Sequence, residues 1–119
     1  SSAPSDLVLA SDGTAFIADQ DNGGVLVYEA NGTFRLRLGR AGKGTDAFTG
    51  LSRLALGAAG ELYCLDAAQM QVQRFDRFHR RLPTWQLQTD AKNPPVDIAA
   101  HAKGVLILSG YLGAQYSQD

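Results

Sequence analysis

Cysteine is nearly absent from this sequence: Cys64 is the only one, and just two histidines, His79 and His101, accompany it. A single thiol closes no internal disulfide, and these three residues stand at no zinc-ligand spacing. A disulfide scaffold and a zinc finger are therefore excluded. Long hydrophobic runs are also missing. The longest, such as Val105 to Leu108, fall far short of the roughly 20 apolar residues of a membrane-crossing helix, so no membrane span is expected. The opening Ser1-Ser2-Ala3-Pro4 lacks the basic start and apolar stretch of a secretory signal, as a mature or excised chain also would, which leaves the compartment open. Proline is scarce, with 4 residues, and charged residues make up 19% against 45% hydrophobic, the balance of a globular chain and not of a disordered one.

Glycine, by contrast, is plentiful at 13 residues, as a chain with many tight turns requires. Charge is unevenly placed. The net value is −1, yet nine of the eleven Lys and Arg residues, and only four of the twelve acids, lie between Arg35 and Arg81. That segment carries a formal +5 and its flanks −6, so an anionic partner would be drawn to the middle of the chain.

The stretch from Pro4 to Phe34 aligns without a gap on Leu51 to Arg81, an offset of 47 residues. Identities fall at Ser5/Ser52, Leu7/Leu54, Leu9/Leu56, Gly13/Gly60, Asp19/Asp66 and Val25/Val72. A third copy begins at Pro95, with Asp97, Ile98, Gly104, Ile107 and Leu108 answering to Asp6, Leu7, Gly13, Phe16 and Ile17, and is read as stopping after two strands. The first copy predicts strands over 5–10, 14–19, 25–29 and 33–38, and the second over 52–57, 61–66, 71–76 and 80–87. Asp12-Gly13, Asn31-Gly32 and Ala59-Gly60 mark hairpin turns that call for positive φ, so neighbouring strands pair antiparallel. Runs such as Phe16-Ile17-Ala18 and Leu62-Tyr63-Cys64-Leu65 are apolar on successive residues, which places both sheet faces against neighbours. A repeat of this length built of short strands is a propeller blade.

The residues resemble the NHL repeat. Pro4-Ser5-Asp6-Leu7, Gly13, Phe16-Ile17-Ala18-Asp19, Asn22, Val25-Leu26-Val27-Tyr28 and Gly32 follow that family's blade in order, and Gly39, Gly42, Gly44 and Phe48 follow its linker. The second copy departs, with Leu51 for Pro, Gln69 for Asn, Gln71 where the family often has Arg, and His79 for the turn Gly. The resemblance implies an all-β chain, a partial β-propeller of four-stranded antiparallel blades. It forms a single segment over 1–119, with blade one at about 4–38, a linker at 39–50, blade two at about 51–87 and a partial blade three at about 95–110. Closed propellers use four to eight blades. The remaining blades of a larger propeller, or other copies of the chain, are expected to cover the open ends.

Several residues invite chemistry. Gly39-Arg40-Ala41-Gly42-Lys43-Gly44-Thr45 suggests a phosphate loop, but Arg37 stands where that motif needs its first Gly and Gly44 where it needs Ser or Thr, so the segment reads as linker. Cys64 sits at the strand position of Ile17 and reads as core. Asp6, Arg53 and Asp97 share one position on the first strand of each copy, which in propellers lies nearest the central channel. Some propeller hydrolases and lyases resembling this family hold a metal ion there, but two acids alternating with an arginine suit salt bridging or a bound anion better. Gly13, Asp19, Asn22, Gly32, Gly60, Asp66 and Gly104 read as structural turn residues. Arg74, Arg77, Arg80 and Arg81, interleaved with Phe75, Phe78 and Trp85, look like a single-strand nucleic-acid surface, although strand alternation would divide them between faces. Asn31-Gly32-Thr33 fits a glycosylation pattern that matters only in a secreted eukaryotic chain. No catalytic residue, metal or cofactor is assigned. The expected role is a scaffold that binds a protein partner, with RNA binding through a basic face and a channel-sited hydrolase or lyase as the alternatives.

Overall fold

The structure is a computed structural model that describes residues 4–44, 46–88, 93–109 and 113–117. Ser1 to Ala3, Thr45 of the glycine-rich segment and Gly110, where the partial third blade is expected to end, lie outside the described residues. Among the described residues every regular element is a strand. The first sheet comprises β1 (Pro4–Leu9), β2 (Ala15–Asp19), β3 (Val25–Tyr28) and β4 (Phe34–Leu38), paired in chain order and antiparallel throughout. A short parallel pair, β5 (Arg40–Ala41) and β6 (Ala47–Phe48), forms the linker. The second sheet repeats the first with β7 (Leu51–Leu56), β8 (Leu62–Asp66), β9 (Gln71–Phe75) and β10 (Arg81–Gln86). The third has β11 (Pro95–His101), β12 (Gly104–Ser109) and β13 (Gly113–Ser117), so it holds a third strand where the sequence suggests only two.

The turns form as the glycines dictate. Gly13 and Gly60 sit at φ of 92° and 82°, and each donates its amide back across a tight turn, to the Ala10 and Gly57 carbonyls at 3.0 Å. The β3–β4 turn closes through the amide of Gly32, and the β9–β10 turn through that of His79, which takes the same left-handed conformation at φ 66° although it is not a glycine.

Side-chain alternation makes β8 a shared wall. All five of its residues are buried. Leu62 and Cys64 join Phe16, Ala18, Val25 and Val27 in a core between the first and second sheets. Tyr63 and Leu65 join Val72, Ile98, Val105 and Ile107 in a core between the second and third. Cys64 is fully enclosed, and burial pushes its thiol pKa far up, which leaves a packing residue with no nucleophilic character. The outer faces of the first and third sheets are uncovered: Leu7 and Leu9 point away from the first core, and Val96, Leu106 and Leu108 are likewise exposed on the third sheet.

Candidate functional site

Two of the three residues read on the innermost strands, Asp6 and Arg53, bond across from one blade to the next. One Asp6 carboxylate oxygen accepts the Leu7 amide at 2.9 Å and the other accepts the amide of Leu54, on the next sheet, at 2.8 Å. Arg53 donates to the Ser5 carbonyl at 3.4 Å and to the Ser52 carbonyl at 2.9 Å. Asp97 accepts the Ile98 amide at 2.8 Å, as Asp6 does that of Leu7. Asp6 and Arg53 thus stitch β1 to β7. Among the described residues no group of three or more His, Cys, Asp or Glu is placed to hold a metal ion.

Asp19 and Asp66 close the second strand of each blade, at the same end as Asp6 and Arg53, and organise the turns and linker there. Asp19 accepts the amide and side chain of Asn22 at 3.2 and 3.3 Å and pairs with Arg37 at 3.3 Å. Asp66 is fully buried and accepts four bonds: from the Thr49 and Gly50 amides at 2.8 and 2.9 Å, and from the Gln69 amide and side chain at 3.1 and 2.7 Å. Gln69 therefore takes over the role that Asn22 plays one repeat earlier. Gly104 opens β12 at φ 150°.

The four basic residues read from the sequence as one surface do not form one. Arg74 is 4% exposed, donates to the Pro83 carbonyl at 2.8 Å and lies 4.4 Å from the Trp85 ring, so it is an interior residue. Its guanidinium is tolerated because the carbonyl and the ring together replace water. Arg81 lies over Phe75 at 4.8 Å and donates to Gln73. Arg81 is nonetheless exposed, as are Arg77 and Arg80, and the last two flank the ring of Phe78 at 4.6 and 5.1 Å; Phe78 is 60% exposed. Arg80 also pairs with Asp76 at 2.9 Å.

Beside that rim lies a cleft of about 710 Å³ between the first two blades, lined by residues of the β1–β2 turn, the β7–β8 turn, the β9–β10 turn and Arg35 of β4. His79 packs edge-on against Phe16, ring centroids 5.9 Å apart. Burial, and secondarily the Arg35 charge, lower the pKa of His79, while Asp76 and Asp12 oppose the shift. Asp12 accepts the Thr14 amide at 2.9 Å, the leading cause of its own lowered pKa. Sequence reasoning missed this cleft, because its lining is spread from Ala10 to His79. The one signal was the His standing in place of a turn Gly.

Antiparallel meanders stacked face to face with innermost strands side by side define a β-propeller segment. Residues 4–97 match the family described as 6-bladed beta-propeller (DUF5128), and the chain belongs to that family. Among solved structures, a Bacteroides fragilis protein superposes with a TM-score of 0.77 at 16% identity, covering 99% of this chain and 35% of that one. The RRP9 WD40 repeats give 0.71 at 13% identity, covering 98% and 39%. Virginiamycin B lyase from Staphylococcus aureus gives 0.65 at 11%, covering 99% and 42%. At these identities the likeness concerns the fold, and the chain spans well under half the length of each. No curated protein matches the sequence.

Proposed function

We propose that the chain is part of a non-catalytic propeller of the NHL type that binds a protein partner through the rim of its second blade. The observation that carries this is the half-uncovered Phe78 with Arg77 and Arg80 against its ring. Exposed aromatic and arginine side chains are the types that dominate protein-binding hot spots. The NHL assignment is supported by the ordered match from Pro4 to Gly32 and by the Asp19–Asn22 bonds, which give two motif residues a physical task. The non-catalytic reading is supported by Asp6, both of whose carboxylate oxygens accept backbone amides, and by Arg53, whose Nη1 donates to two backbone carbonyls. RNA binding is the weaker alternative, since burial of Arg74 breaks the basic face. The uncovered faces of the first and third sheets are expected to meet further blades.

The test is capture of proteins from the source cell by the chain and by a Phe78→Ala/Arg80→Ala variant of equal thermal stability. A partner held stoichiometrically by the parent and lost by the variant supports the reading. Equal capture by both overturns it.

A further inference from the structure

The chain has eight arginines, and six of them are engaged. Arg37 pairs with Asp19, Arg40 with Asp46 and Arg80 with Asp76, while Arg53, Arg74 and Arg81 donate to carbonyl or amide oxygens. Arg35 and Arg77 alone have no hydrogen bond or ion pair among the described residues; Arg77 only lies against the Phe78 ring. Both line the same cleft. Two unneutralised guanidinium groups at one concavity are a site for oxyanions, because each offers a planar fork of donors matched to a carboxylate.

We infer that the cleft between the first two blades seats an acidic peptide segment whose carboxylates are taken by Arg35 and Arg77. This rests on the reading of the chain as a protein-binding module and names the chemistry of the partner. Part of the lining is small, Ala10, Ala58, Ala59 and Gly60, which leaves room for a peptide main chain. A volume of about 710 Å³ lies within the usual range of a ligand site. A nucleic-acid strand fits less well, because His79 buries Phe16 and leaves Phe78 as the one phenyl ring of the described lining open to a base, whereas single-strand grooves stack successive bases on several rings. Asp12, the one acid among the described lining residues, is outnumbered by Arg35 and Arg77, so the cleft favours carboxylates aimed at the two arginines.

Fluorescence anisotropy of a fluorescein-labelled hexaglutamate peptide with the 119-residue chain tests this. Saturable binding that weakens with salt is expected, reduced about tenfold or more by Arg35→Gln and by Arg77→Gln. It should be unchanged by Arg40→Gln, which removes a rim arginine already paired with Asp46. No binding, or equal loss with Arg40→Gln, overturns the inference. So does displacement of the peptide by millimolar inorganic phosphate, which would make the ligand a free oxyanion, or tighter binding of oligouridylate through the same two arginines. If the capture experiment yields a partner that Arg35→Gln still holds, the cleft assignment falls while the protein-binding reading stands.

Discussion

Replacing Asp66 by alanine should be among the most damaging single changes outside the hydrophobic core. The carboxylate is fully buried, and its two oxygens accept four bonds, from the linker at Thr49 and Gly50 and from the β8–β9 turn at Gln69. A hydrogen bond to a charged group contributes about 1.5–3 kcal/mol net, and donors left unmade in the interior cost about 1–3 kcal/mol each. Two features lower the sum here. The Gln69 side chain also donates to the Ala47 carbonyl at 3.1 Å, and Thr49 is exposed enough for water to replace its lost acceptor. The loss is then about 3 kcal/mol, a large part of the roughly 5–15 kcal/mol that holds a domain folded. Asp66→Asn should lose about half as much, since one oxygen is kept while the new amide group faces donors instead of acceptors. Urea denaturation followed by circular dichroism measures this through the midpoint at unchanged slope. A loss below about 1 kcal/mol for the alanine variant would refute the claim that this carboxylate fastens the linker to its blade.

Gly60→Val should destabilise by at least about 1 kcal/mol, because φ is 82° and an added Cβ would meet the Arg77 Cβ at 3.0 Å; an unchanged melting temperature would contradict this. The exposed Leu7 and Leu9 at one end and Leu106 and Leu108 at the other should make the 119-residue chain associate at micromolar concentration, and a monodisperse, cooperatively unfolding monomer in light scattering would show that the open faces are tolerated. His79 has a folded-state pKa below its ordinary 6.5, so its contribution to stability is intact above about pH 6.5 and lost as pH falls from there through the folded value. The urea midpoint of His79→Gln should therefore fall less than that of the parent between pH 7.5 and 5, and equal falls would remove the argument.

Most strands were legible because the 47-residue repeat aligns apolar strands between recurrent turns such as Asp12-Gly13, Asn31-Gly32 and Ala59-Gly60, and their observed limits lie within a residue or two of those read from the pattern. The strand Gly113–Ser117 was not, since Gly-Ala-Gln-Tyr-Ser has neither a β-branched residue nor an apolar run; it exists by pairing with β12. The basic cluster misled for a related reason. Arg74 looks like a surface residue in one dimension, and only the fold brings the Pro83 carbonyl and the Trp85 ring to it. The cleft was invisible because no local pattern records that the Asp12 turn of one repeat faces the His79 turn of the next.

Because β8 gives alternate residues to two cores, the second blade has no inner surface of its own. Either outer blade can peel away at the cost of one interface, whereas opening the middle one forfeits both. The chain is in this sense a short stack with a keystone, in which disturbances at either end are absorbed locally and only those reaching the Leu62–Asp66 strand are felt everywhere.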